Sequence, residues 1–244
     1  MTEILSFIFA ASSAWVLTLG FLLGLKHAAE ADHLAAVSTI VTERKSLFGS
    51  ALVGGLWGLG HTISLLIAGV LVLLLNFQIS EQTERALEFC VGLMLVLLGL
   101  NVLRKILRGG ELHFHEHEHE GHVHAHPHIH EHQDTPHTHH GFSLSPRSVF
   151  VGMVHGLAGS AALMLFIVPT IESRAVGFLY ILIFGIGSIG GMMLMSFLVG
   201  LPLRLTAFRF NRFNLLLRCA AGFFSVGLGL WIVYEKAILE GLMV

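Results

Sequence analysis

The run G-L-K-H-A-A-E-A-D-H-L, from Gly24 to Leu34, sets the terms on which this chain can fold. It places four ionisable groups, His27, Glu30, Asp32 and His33, within seven residues of an otherwise apolar stretch from Ile4 to Val41. At bilayer depth an ionised side chain costs roughly 2.5–3.5 kcal/mol on insertion scales, so such a density needs a compensating partner. Imidazole and carboxylate together are the usual donors to a divalent transition metal. The segment therefore reads as a metal site inside a membrane protein rather than a polar network that only locks helices together.

Composition supports the membrane setting. Hydrophobic residues make up 54% of the 244 and charged residues 12%, with a mean hydropathy of +0.76; soluble domains carry roughly 25% charged residues. No strongly basic face points to nucleic acid. The first 25 residues contain no Lys or Arg and include Glu3, so a cleavable signal peptide is not expected. Cys90 and Cys219 both sit in apolar segments and read as small packing residues.

Apolar runs at about 4–41, 47–75, 86–103, 149–170, 176–203 and 213–234 predict an all-α integral membrane protein with about six spans. The first run would measure about 57 Å as a straight helix, so a break is expected, and Gly20 and Gly24 are the natural place for it. Lys and Arg gather in the loops after spans one, three and five, ten against three in the loops after spans two and four and the C-terminal tail. The positive-inside rule then puts those loops in the cytoplasm and both termini outside, in a cell membrane.

Laid over each other at an offset of about 128, the two halves match in order. Gly24–His27 meets Gly152–His155, Gly58–Gly60 meets Gly185–Gly187, and Gly92 and Gly99 meet Gly222 and Gly229. Each unit has three spans, an odd number, so the second must enter the membrane inverted. The domains expected are 1–108, a first three-helix repeat carrying the metal motifs; 109–145, a joining loop; and 146–244, the second repeat.

That loop is rich in histidine: His113, His115, His117, His119, His122, His124, His126, His128, His130, His132, His137, His139 and His140, interleaved with carboxylates. Such a composition cannot build a core and is expected to be disordered without metal. Its imidazoles suit weak, rapidly exchanging capture of Ni²⁺, Co²⁺, Cu²⁺ or Zn²⁺.

His61, after W-G-L-G and before Thr62 and Ser64, joins the candidate site, because Gly58 and Gly60 let a neighbouring helix approach. His155 joins it as the counterpart of His27. Ser188, Met192, Met193 and Met195 are candidates for lining a path. On a continuous helix Asp32 would point away from His27, Glu30 and His33, so a break, or an orienting role for Asp32, is needed to unite them. The pattern His27-x4-Asp32 also fits lipid acyltransferases. Those need a sizeable acyl-donor domain, and only the His-rich loop exceeds about 15 residues, so the chain is not expected to be an enzyme.

G-L-K-H-A-A-E-A-D-H-L-A-A-V resembles the H-A-x-D-A-D-H-I signature of the nickel/cobalt transporter family, and L-G-H-T-I-S at Leu59–Ser64 resembles its L-G-H-S-T-V motif. The first motif's leading aspartate is Glu30 here, and the usual I-D-N that follows is Val37, Ser38 and Thr39. In the second half the family's acidic motifs appear without a carboxylate, as H-G-L-A-G-S-A-A-L from His155 and G-S-I-G-G-M-M from Gly187. The chain looks like the shorter branch associated with urease accessory proteins. The resemblance implies Ni²⁺ or Co²⁺ permeation, with His27, Asp32, His33 and His61 at the selectivity site; Glu30, in place of the motif's aspartate, and His155, from the repeat, are further candidates. Uptake is the economical direction; a Ni/Co or Zn²⁺ efflux permease, or a membrane metal store or chaperone, is the alternative. The bilayer and the ion are the expected partners, with a nickel metallochaperone or urease or hydrogenase maturation proteins beyond them, and no prosthetic group. No G-x4-G-K-[ST] motif is present, so the chain itself is not expected to hydrolyse ATP.

Overall fold

The computed structural model describes residues 2–42, 44, 46–75, 80–108, 113–119, 122–128, 146–158, 171, 173–207 and 210–242; for 2–13, 72–73, 75, 113–119 and 122–128 it describes the backbone alone. The membrane body is helical: α1 (Thr2–His27), α2 (Ala31–Val41), α3 (Leu47–Leu75), α4 (Glu81–Leu107), α5 (Pro146–Gly156), α6 (Arg174–Ala207) and α7 (Asn211–Tyr234), which continues into a π-helical turn, Glu235–Leu239. Among the described residues four helices are long and apolar enough to cross a membrane: Leu47–Leu71, Glu81–Leu107, Arg174–Ala207 and Asn211–Leu239. Between α4 and α5, β1 (His113–His119) and β2 (His122–His128) pair antiparallel, where composition predicts disorder. Residues 129–145 and most of the fourth apolar run, 159–170, lie outside the described residues.

Local sequence explains the helix ends. The Ser80 hydroxyl accepts from the Thr83 amide at 3.2 Å and starts α4, with Glu81 and Glu84 in its first turn and Arg104 and Lys105 in its last, each opposing the helix dipole. Pro146 opens α5, where a missing N–H costs nothing.

Between helices, small residues set the packing, as expected where lipid is as apolar as the side chains. Along α1 and α6, a Cβ on Gly20 would meet Tyr180 and one on Gly24 would strike the Phe184 carbonyl, so the two run side by side in the same direction. Along α5 and α3, Gly152 lies against the Trp57 carbonyl and Gly156 against His61, again in the same direction. α3 and α6 run opposite ways, with Gly54 against Ser196, Gly58 against Ile189 and Gly69 against Ile181. So do α4 and α7, with Gly92 on Gly229 and Gly99 on Gly222. Exchanging the halves maps these contacts onto one another: Gly24 on Phe184 becomes Gly152 on Trp57, and Gly187 on the Phe21 carbonyl becomes Gly60 on that of Val149. Hydroxyl groups stitch the helices further, Ser64 to the Met153 carbonyl at 2.7 Å and Ser225 to that of Leu95 at 2.8 Å.

The break in the first apolar run falls at Ala28–Glu30, not at Gly20 or Gly24. Those glycines keep helical backbone because their missing Cβ is used against α6. The helix ends instead through short bonds, from the Ala29 amide to the Lys26 carbonyl at 2.9 Å and from the Glu30 amide to that of His27 at 3.0 Å.

Candidate metal centre

The break puts an α-helical C-terminus and N-terminus face to face around the polar cluster. His27 lies in the last turn of α1 and Asp32 in the first turn of α2, a cationic-capable and an anionic group each at the end its helix dipole favours. Glu30, the N-cap of α2, is extended (φ −66°, ψ 152°) and makes no capping bond with its side chain. Its carboxylate accepts instead from His27 Nδ1 at 2.9 Å.

α3 and α5 bring in the other two imidazoles. His61 reaches the cluster because Gly60 and Gly156 let α5 close on α3, and His27 Nε2 lies 3.2 Å from His61 Nε2. Since the Glu30 carboxylate fixes the proton on His27 Nδ1, His61 Nε2–H is the donor in that bond. Asp32 joins the rest: Oδ1 accepts from the His33 amide at 2.9 Å and from His33 Nδ1 at 3.0 Å, and Oδ2 accepts from His155 Nε2 at 3.0 Å. The His33 ring centroid is 4.2 Å from those of both His27 and His155.

The sequence holds 17 histidines, and the four outside the His-rich segment all meet here, essentially without solvent exposure. His33 Nε2, His61 Nδ1 and His155 Nδ1 are buried with no protein partner. An unsatisfied buried polar atom costs about 1–3 kcal/mol, and three in one cluster call for an account. A cation would supply it: Glu30 holds the N–H of His27, Asp32 those of His33 and His155, and the His27 ring that of His61, which leaves His33 Nε2, His61 Nδ1 and His155 Nδ1 as lone pairs; carboxylates orient metal-binding histidines in this way. His27, His33 and His61 form one group able to hold an ion, and Asp32, His33 and His155 a second that shares His33.

All six residues read from sequence as the site, His27, Glu30, Asp32, His33, His61 and His155, are thus brought together. Glu30 and Asp32 keep partial exposure, with side chains 41% and 30% accessible, so the cluster is open on its carboxylate side. Of the path candidates, Ser188 and Met192 are fully buried and the Ser188 hydroxyl has no partner, whereas Met193 is exposed and Met195 half-buried. Of the His-rich segment's histidines, those up to His128 have a described backbone only and those from His130 on lie outside the described residues. Sequence reasoning missed Trp57. Its ring sits 5.3 Å from both His33 and His155, and its buried Nε1 has no partner. The signal available was its position one turn before His61 on the same helix face. Phe184, its counterpart in the other half, stacks 5.6 Å from His27.

The chain matches, over residues 13–206, the profile of a family described as high-affinity nickel-transport protein. It is 40% identical over 229 residues to the urease accessory protein UreH of Bacillus sp. (strain TB-90), covering 93% of this chain and 94% of that one. It is 28% identical to the chloroplast proteins FOR GROWTH AND FERTILITY 1 and 2 of Arabidopsis thaliana, covering 93% and 92% of this chain but 62% and 57% of theirs. No solved structure matches.

Proposed function

The chain belongs to the high-affinity nickel-transport protein family, and on that premise we propose that it carries Ni²⁺ or Co²⁺ inward through the cluster of His27, His33, His61 and His155. The family is one of transporters rather than enzymes, which sets the acyltransferase pattern at His27 and Asp32 aside. One observation carries the proposal: every histidine outside the His-rich segment lies in one buried cluster, three of them with an unpartnered nitrogen. Imidazole-rich donors with a carboxylate suit nickel and cobalt, whereas Mg²⁺ takes oxygen ligands and Cu⁺ thiolates. Asp32 and Glu30 orient the rings and offset the ion's charge where lipid cannot.

In the membrane the chain makes six spans, one for each apolar run of the sequence, with α1 and α2 in the first and α5 in the fourth. Residues 1–108 and 146–244 form two inverted repeats. The exchange of contacts between halves supports this: α1 runs with α6, α5 runs with α3, and α3 opposes α6, so α1 and α5 point opposite ways. The Lys and Arg asymmetry favours a cytoplasmic 109–145 segment and outward termini. Inside, the segment receives the ion and hands it on. The urease accessory role in the name of the Bacillus relative supports delivery towards urease maturation, directly or through a nickel metallochaperone.

The inward field favours a divalent cation by about 4.6 kcal/mol per 100 mV, twice the single-charge value. Whole-cell ⁶³Ni accumulation tests the direction. Expression should raise it and His33→Ala should return it to background; accumulation below that of cells lacking the gene would establish efflux. Flux in sealed proteoliposomes separates a carrier from a membrane store.

A further inference from the structure

Four guanidinium groups collect at the membrane end from which the His-rich segment hangs. Arg44 follows α2, Arg104 and Arg108 close α4, and Arg147 opens α5. Arg44 and Arg147 line a cavity of about 110 Å³ between α2, α4 and α5, together with Thr39, Asn101 and Ser148. Arg147 and Asn101 also border a larger groove of about 1070 Å³, where Arg104 and Arg108 stand beside Leu97, Leu100 and Phe223. The other end of α4 differs: there Arg85 pairs with Glu81 and Glu240, and Lys236 of the π-helical turn with Glu88 and Glu240. At the crowded end no described carboxylate pairs with Arg44, Arg104, Arg108 or Arg147, and all four are exposed.

We propose that this corner is a binding site for an anionic phospholipid, its phosphate held by Arg104, Arg108 and Arg147 and an acyl chain laid along Leu97, Leu100 and Phe223. A guanidinium matches a phosphate with two parallel hydrogen bonds, and basic pockets between membrane helices take anionic head groups. The apolar floor favours lipid over an acidic peptide, which would satisfy the charges and leave exposed Leu97 and Phe223 uncovered. The site also bears on the ion's route. Ser148 lies two helical turns before His155 on α5, and Thr39 nearly two turns after His33 on α2, so the small cavity lies between the histidine cluster and this end. A divalent cation passing there meets Arg44 and Arg147, and a phosphate bound at Arg147 offsets part of their field. This second step rests on the transport reading; lipid binding does not.

Native mass spectrometry of the full chain in detergent, titrated with phosphatidylglycerol or phosphatidylcholine, tests the binding. The parent should hold phosphatidylglycerol selectively. At roughly fivefold per guanidinium, Arg104→Gln/Arg108→Gln/Arg147→Gln should weaken it on the order of 100-fold, while Arg204→Gln, on the same side but outside the groove, leaves it intact. Equal binding of the two lipids, equal loss in Arg204→Gln, displacement by inorganic phosphate, or binding that arises only once 109–145 is deleted would each overturn the proposal. In proteoliposomes, ⁶³Ni flux through the parent should rise at least fivefold when phosphatidylglycerol is added to phosphatidylcholine, with no rise in the triple variant. Lipid-independent flux with selective binding retained overturns the link to transport, and absence of flux in every lipid with binding retained overturns the transport reading.

Discussion

The buried histidines of the membrane body and the thirteen of 113–140 carry the same donor atoms in opposite surroundings. In the body, folding has already fixed each ring: Asp32 holds His33 and His155, Glu30 holds His27, His27 holds His61, and three ring nitrogens are buried without a protein partner. In the segment, β1 and β2 set His113 across from His128, His115 from His126, His117 from His124 and His119 from His122. The period of two puts all eight residues on one face of the hairpin, but a two-stranded hairpin alone is marginal in water. An ion captured there would have to order its own donors, at about 0.5–1.5 kcal/mol per immobilised side chain. The contrast separates affinity, which comes from donors already in place, from capacity, which comes from their number.

Removing a single ring from the body should break the first half of that contrast most severely. His33 is shared by both groups able to hold an ion, so His33→Ala dismantles both at once. Nickel affinity should fall at least 100-fold, measured by calorimetry on protein lacking 113–140 so that the segment does not mask the loss, with expression unchanged. Parent-like binding by that variant would mean that the cluster is a structural network.

Asp32→Asn is expected to cost less, about 10- to 100-fold, because all four imidazoles and the group of His27, His33 and His61 remain, and the loss falls on one carboxylate and on the orientation of two rings. A carboxylate offers an oxygen to each ring, whereas an amide offers one oxygen and one NH₂, so either His33 or His155 meets a donor instead of an acceptor. His155→Ala in the same background should add little to it if Asp32 acts through that ring, and the non-additivity of the double variant is the measurement.

Deleting 113–140 probes the other half of the contrast. Bound nickel per protein should drop by several equivalents in equilibrium dialysis, while ⁶³Ni flux at saturating metal stays within a few-fold of the parent. Complete loss of flux in a deletion that still reaches the membrane would put essential ligands in the segment.

How much of this was legible in the sequence follows from what each feature depends on. The gathering of the six candidate residues could be read because polar groups in an apolar run are too costly to keep without partners, and because His155 repeats the register of His27. The helical, membrane character followed from the apolar runs. The position of the break was not legible: glycine signals both flexibility and close approach, and at Gly24 the nearness of the Phe184 carbonyl decides for the second. Nor was the bridging of His33 and His155 by Asp32, since His155 lies 123 residues further along the chain and is brought there by α5 packing against α3. Trp57 escaped notice because an aromatic residue on an apolar helix reads as packing until its neighbours are known.

Trp57 also offers the finest test of the contrast, since it asks whether the cluster's demands extend beyond its titratable groups. Its ring walls His33 and His155, and its buried N–H has no partner. Trp57→Phe keeps much of the wall and removes the orphan donor, whose burial costs about 1–3 kcal/mol, against some lost apolar area. The two terms nearly cancel, so stability should change little and nickel affinity by less than about threefold. Co²⁺ quenching of fluorescence gives an independent view, because Trp15 and Trp231 are exposed and their replacement by Phe leaves Trp57 as the only indole. Quenching should then track occupancy of the cluster and vanish in His33→Ala. A loss of affinity in Trp57→Phe as large as that in Asp32→Asn would show that the indole N–H bonds to something in the loaded site, and that a neutral donor belongs to the machinery with the rings and carboxylates.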